Sequence, residues 1–265
     1  MAQTTITYAK NNENPPNLRN KQISFYRLFG FALSLIFLLL PSLEAADFAR
    51  ITDNRLILDN GLISRTIDLS KNSKAVSTTS LKLTDSRNFV GSDSPEFSFL
   101  LNDRTFTGRS DWQLVSCKTI SEPSGSSGAL LTLKGKKGIL ADLRLSVKYL
   151  LYPSLPVIRK QISFENLSRN DLKLEALDVE SLTAAWKDTH CWIMTDYARR
   201  KKTGPYLGDC YDPLVVVHNV TQQRGIALGN EAWAVMKRTS VFLDGQTLTI
   251  GLTHPRQDYP FRKWL

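Results

Sequence analysis

The sequence has little with which to hold a metal. Three cysteines (Cys117, Cys191, Cys210) and three histidines (His190, His218, His254) are spread through 265 residues without chelating spacing. Cys191 is merely adjacent to His190, and nothing resembles a zinc site. No metal and no cofactor is therefore expected. The chain has no G-x-S-x-G elbow for a nucleophilic serine. It has no phosphate-cradling glycine loop either: Gly125–Gly128 is Ser-rich and lacks the lysine that should follow. Beyond residue 46 no stretch carries an amphipathic helical period, and no tandem repeat or composition break divides it. The net charge is +9, yet no basic run is interleaved with aromatics. The single dense cluster, Arg199-Arg200-Lys201-Lys202, reads as a solvated loop, so nucleic acid is not an expected partner.

What is present begins with a targeting segment. Residues 1–27 are polar and basic, and Leu28–Leu40 is apolar except for Gly30 and Ser34. Pro41 and Ser42 break the run, and Leu43-Glu44-Ala45-Ala46 offers small residues for cleavage. The run is shorter than the ~20 residues of a membrane span and fits a signal-peptide core. An uncleaved anchor is the alternative, and a buried core helix a third. The expected division is 1–46, signal or anchor helix, and 47–265, one β domain. Export follows: a secreted or periplasmic protein, or one anchored to the membrane through residues 28–40. Export permits disulfides. Cys191 and Cys210 flank one region and are candidates for a bridge that leaves Cys117 free; three unpaired buried cysteines are the other reading.

The mature chain reads as strands around one hairpin, Leu143–Asn166. Leu143, Leu145, Val147, Tyr149 and Leu151 alternate with Arg144, Ser146 and Lys148. Ile158, Ile162 and Phe164 alternate with Arg159, Gln161, Ser163 and Glu165. This is the pattern of half-buried antiparallel strands, with Pro153 and Pro156 suited to the connection. Asp59-Asn60-Gly61 marks a second hairpin, in which Ile63, Arg65, Ile67 and Leu69 share a face. Further strands are expected at 76–84, 97–101, 104–106, 112–120, 129–133, 172–182, 214–219, 225–228, 233–238, 241–243 and 247–252. Turns are expected at Asn102-Asp103, at 134–138 and at Asp244-Gly245. The fold class is all-β.

Thr183–Asp212 lacks any sustained period and reads as a long aromatic loop on this scaffold. Sugar recognition needs flat apolar faces for ring C–H groups and carboxylates for hydroxyls. Trp186, Trp192, Asp196, Tyr197, Asp209 and Tyr211 offer both. They are the candidate substrate-binding residues; packing against a neighbouring domain, or plain core, are the other readings of the same side chains. Asp178 and Glu180 would share a strand face, with Cα atoms about 7 Å apart. That suits an acid/base pair but reads better as a solvated or interface face.

The order of several segments resembles the N-terminal β-supersandwich domain of secreted alpha-galactosidase-type glycoside hydrolases, family 36 and its relatives. The matching pieces begin with Leu58–Arg65, Tyr149–Pro153 and Pro156–Lys160. Phe164–Asn166, Leu177–Glu180, Asp209–Pro213 and Gly225–Glu231 follow in order. The resemblance implies a large antiparallel, galactose-mutarotase-like supersandwich. It also implies a (β/α)8 barrel partner, in cis or as a separate chain, whose two carboxylates would perform retaining hydrolysis. Those carboxylates have no matching positions here, and Tyr259–Leu265 resembles the approach to such a barrel. No catalytic residue is therefore expected in this chain, and carbohydrate is its expected ligand. A barrel-facing surface left exposed would favour self-association. Two alternatives stand beside this: a stand-alone carbohydrate-binding module, and an aldose-epimerase-like enzyme using His190 or His218 with Glu231.

Overall fold

A computed structural model describes residues 47–69, 76–84, 88–90 and 94–184. Beyond these it describes 189–194, 201–202, 208–210, 214–219, 223–229, 231, 238–244, 247–253 and 263–264. All lie in one compact unit, Ala45–Leu265. Residues 1–46, where a signal or anchor is expected, lie outside the described residues.

The described residues are all-β, with one 3-10 turn at Gly138–Asp142 and no α-helix. The first sheet is a meander of β1 (Ala49–Thr52), β2 (Arg55–Asp59), β3 (Ile63–Asp68) and β4 (Ser77–Leu83). The second consists of β7 (Trp112–Ser121), β8 (Ser127–Gly135), β9 (Leu143–Leu151) and β10 (Ile158–Asn166), again in sequential order. The third joins β5 (Glu96–Leu101) and β6 (Arg104–Thr107) to β11 (Lys173–Ala184). It continues through β18 (Thr247–Thr253) and β17 (Arg238–Asp244) to β14 (Gly208–Cys210), and β19 (Lys263–Trp264) also pairs with β11. The fourth is β13 (Lys201–Lys202), β12 (Thr189–Met194), β15 (Leu214–Asn219) and β16 (Arg224–Gly229). Every strand pairing among the described residues is antiparallel, as expected of a chain whose strands follow one another through short turns.

Three of these sheets share one core. Leu56, Leu58 and Ile67 of the first meet Phe97, Phe99 and Leu101 of the third, and Leu131, Leu133, Leu145 and Val147 of the second. The hairpin forms with the expected faces: Leu143, Leu145, Val147, Tyr149 and Leu151 are all fully buried. Phe99 sits at the centre of an aromatic cluster. Its ring lies 5.1 Å from Phe164 edge-to-face, 6.0 Å from Phe106, 6.1 Å from Phe97 and 6.3 Å from Trp112.

Several sequence expectations change. β8 runs on through Gly135, where a turn was expected at 134–138, and the 3-10 turn follows it. β1 was not anticipated; it pairs with β2 through Asp53 and Asn54, both at positive φ. The supposed aromatic loop contains β12, β13 and β14. Its residues lack a local period, and pairing with distant β15 and β17 decides their conformation. The expected strand at 233–238 falls, but for Arg238, outside the described residues.

Gly128 shows why a glycine interrupts β8. A Cβ there would stand 2.0 Å from the Tyr149 carbonyl oxygen on the neighbouring strand. Gly128→Ala is expected to cost about 1–3 kcal/mol, because backbone rather than a movable side chain must yield. Unchanged thermal unfolding of that variant would refute the close approach.

Candidate functional site

The densest polar chemistry lies inside the core, where three sheets meet. Arg65 faces inward from β3 on the same side as Ile67, and both are buried. Its Nη1 donates to Glu180 Oε2 at 2.7 Å, and its Nη2 to both Glu96 oxygens at 3.0 Å. Its Nε donates to Thr78 Oγ1 at 2.8 Å, and that hydroxyl lies against Glu96 Oε1. Lys160 of β10 places Nζ 2.9 Å from Glu96 Oε2 and 3.2 Å from Glu180 Oε1, and donates to the Glu96 carbonyl at 2.5 Å. Tyr149 of β9 donates its hydroxyl to Glu96 Oε2 at 2.6 Å. The Arg65 guanidinium carbon and Lys160 Nζ lie 5.6 and 5.7 Å from its ring centre. Two cations thus balance two carboxylates, with Thr78 and Tyr149 filling remaining positions.

Local backbone geometry aims these side chains. Glu96 stands at φ +59°, the left-handed region that costs a non-glycine residue of order 1–3 kcal/mol. Glu180 follows one irregularity of β11 and lies within a second. Between Glu175 and Asp178, and again between Asp178 and Ser181, three steps on β11 oppose two on β5, and Ala176 has φ +46°. Such bulges shift the phase of a strand. They break the simple alternation on which the Asp178/Glu180 reading relied. Glu180 is buried in the ion cluster, which corrects the expectation of a solvated or interface face.

The cluster is a joint between sheets in which each charge is held by its neighbours. Burial by itself would raise the Glu96 carboxyl, but Arg65 and Lys160 outweigh it and hold the group far below the usual carboxylate range. Burial and the adjacent Glu96 charge push the Tyr149 hydroxyl well above its ordinary value. Burial would lower Arg65; Glu180 and Glu96 more than offset this and hold it charged. Both shifts favour an ionised Glu96 and a protonated Tyr149 near neutrality. The sign for stability follows from linkage. A depressed carboxylate contributes above its unfolded pKa, about 4.3, and the contribution is lost as pH falls further; a raised tyrosine contributes below about 10 and loses it above. Unfolding free energy is expected to be flat between these limits and to fall on both sides. A profile still rising as pH drops below about 4 would contradict this assignment.

Of the sequence-expected binding residues, the described backbone places two. Trp192 lies on β12, opposite Val216, and Asp209 on β14, opposite Ser240. Cys191 and Cys210 sit on β12 and β14, which belong to different sheets. Trp186, Asp196 and Tyr211 lie outside the described residues, as do the side chains of Trp192, Asp209, Cys191 and Cys210. His190 and His218 are register partners, while Glu231 is bound to Arg159, its Oε2 2.8 Å from Nε. Among the described residues no three His, Cys, Asp or Glu groups converge as a metal site. Burial pushes the half-buried Cys117 thiol up to about 11. The ion cluster itself was missed, although its signal was present: Arg65 and Lys160 each occupy a position on an otherwise apolar strand face.

The described residues, all-β with three antiparallel sheets around one core, form a β-sandwich. Its fold is similar to that of GH36 alpha-galactosidase AgaB from Geobacillus stearothermophilus, with a TM-score of 0.59 at 14% identity over 82% of this chain and 38% of that one. It is similar also to the alpha-galactosidase from Lactobacillus brevis, at 0.61, 12%, 81% and 38% respectively. The galactosidase domain of alpha-galactosidase-sucrose kinase AgaSK gives 0.60, 10%, 82% and 39%. The chain thus spans about 38% of the length of these solved structures. This is the fold that the sequence resemblance implied. No protein-family model matches the sequence, and no curated protein matches it.

Proposed function

We propose that residues 47–265 form the non-catalytic, supersandwich domain of an exported glycoside hydrolase acting on alpha-galactosides or related glycans. The observation that carries this is the shared fold with three alpha-galactosidases over about four-fifths of this chain. The order of Leu58–Arg65, Tyr149–Lys160 and Asp209–Pro213 supports it from the sequence side. Two acidic groups of the described core are committed to an internal ion cluster, which suits a domain that leaves chemistry to a partner. That partner is a (β/α)8 barrel carrying the nucleophile and the acid/base carboxylates. The sandwich supplies a rigid support, and carbohydrate contact falls to the stretch holding Trp186, Trp192, Asp196, Asp209 and Tyr211.

The test is the coding sequence downstream together with assays on the chain itself. Barrel-type strand–helix alternation downstream, or in a neighbouring frame, is the expected finding, with no turnover of alpha-galactosides by the purified chain. Unrelated downstream sequence in every close relative, or anomer interconversion by the chain, overturns the proposal.

A further inference from the structure

The turn between β2 and β3 carries the only Asn-Gly pair in the sequence, Asn60-Gly61. An asparagine before glycine is the one most prone to lose its side-chain amide. Glycine has no side chain to hinder its own backbone nitrogen from attacking the preceding Asn Cγ, and its backbone is free to bend toward it. Nothing lies within 4 Å of where a Gly61 Cβ would stand, and Asp59 and Gly61 are exposed. By sequence and by position Asn60 is therefore a reactive site.

Its hydrogen bonds oppose that reactivity. Asn60 Nδ2 donates to the carbonyls of Tyr152 and Leu155, at 2.7 and 2.8 Å. Asn60 Oδ1 accepts from the amides of Leu62 and Ile63, both at 3.0 Å. Two donors and two acceptor positions are all that a side-chain amide has, so every one is in use. The attacking nitrogen is engaged as well. The Gly61 amide donates to Asp59 Oδ1 at 2.8 Å, a charge-assisted bond that holds its proton. The Gly61 carbonyl accepts from the Thr84 hydroxyl, which ties the turn to the end of β4. Attack on Cγ requires these bonds to open together. The same bonds form a joint, because Asn60 belongs to the first sheet, while Tyr152 and Leu155 lie in the connection between β9 and β10 of the second.

We propose that Asn60 is a latent deamidation site, closed in the folded chain and open only when this turn comes apart. The Gly61 nitrogen then bonds to Asn60 Cγ, the Cγ–Nδ2 bond breaks, and ammonia leaves with the Gly61 proton. Water opens the resulting cyclic imide at either carbonyl and leaves an aspartyl or an isoaspartyl linkage. No other reactant is needed. Neither product re-forms the joint. A carboxylate has no donor for the Tyr152 and Leu155 carbonyls and sets negative charge against their oxygens. The isoaspartyl linkage also lengthens the backbone of a tight turn. Each unfolding episode thus leaves some molecules whose first two sheets are less firmly joined.

The full chain, incubated at mildly alkaline pH in buffer or in guanidinium chloride, tests this. Peptide mapping by mass spectrometry follows the gain of one mass unit and the isoaspartyl content at Asn60. A peptide spanning residues 57–65, kept in both solutions, calibrates the effect of denaturant on the chemistry. The folded site reacts only through local opening, so deamidation at least about tenfold slower in buffer than in denaturant is expected. In denaturant, Gly61→Ala should react several-fold more slowly than the unaltered chain, which identifies the attacking nitrogen. Asn60→Asp should unfold at a lower urea concentration. Equal rates in buffer and denaturant, no effect of Gly61→Ala, or an unchanged urea midpoint for Asn60→Asp would overturn the proposal. The rate comparison uses the unaltered chain, so it decides even where a variant does not fold.

Discussion

Arg65→Ala is expected to remove about 3–5 kcal/mol of folding stability, the usual cost of breaking a buried ion pair by deleting one partner. The guanidinium serves Glu96, Glu180 and Thr78 from one position. Its removal leaves two buried carboxylates facing Lys160 alone, in a place that water does not reach. The three sheets bound through this point are β3 and β4, β5 and β11, and β9 and β10. The loss should therefore appear as one lower cooperative transition and not as local fraying. Glu96→Gln keeps the shape and removes one charge, and should cost less, about 1–3 kcal/mol, through weakened charge-assisted hydrogen bonds. Urea unfolding of both variants measures this. A loss below about 1 kcal/mol for Arg65→Ala would show that the cluster does not join the sheets.

Phe99→Ala carries the second large effect, about 3–5 kcal/mol by the usual cost of emptying a buried aromatic site. Phe99 is fully buried and contacts four other aromatic rings, drawn from β5, β6, β7 and β10. Those rings are fixed by separate strands, so the space cannot close by one small shift. Phe106 is only partly buried at the margin of the same cluster, and Phe106→Ala should cost clearly less. Equal midpoints for the two variants in thermal unfolding would mean the core collapses around the gap. The Arg65 and Phe99 effects arise from different contacts, one ionic and one apolar, so the double variant reports whether they add.

Much of the fold was legible because strand alternation is a local property. The β9–β10 hairpin, the Asp59–Gly61 turn and the Asn102-Asp103 turn came directly from period-2 patterns and turn residues, and Asn102 and Asp103 indeed take positive φ. β12 and β14 were not legible, because pairing with distant strands holds residues that lack a pattern of their own. Glu180 was misread for a related reason. Its orientation depends on bulges in β11, and a bulge has no reliable signature in one strand's sequence. Arg65 and Lys160 carry a readable signal, since a cation on an apolar strand face needs a buried partner.

The sequence by itself determined that the described residues form antiparallel strands, and which faces of the central hairpin turn inward, since hydrophobic alternation and turn chemistry act between near neighbours. The tertiary structure alone decided that Arg65, Thr78, Glu96, Tyr149, Lys160 and Glu180 meet. These six come from six strands in three sheets, up to 115 residues apart, and their mutual neutralisation exists only once the sheets have packed. A charge can be buried when its counter-charge is already in place, and no local pattern encodes a partner supplied by another sheet.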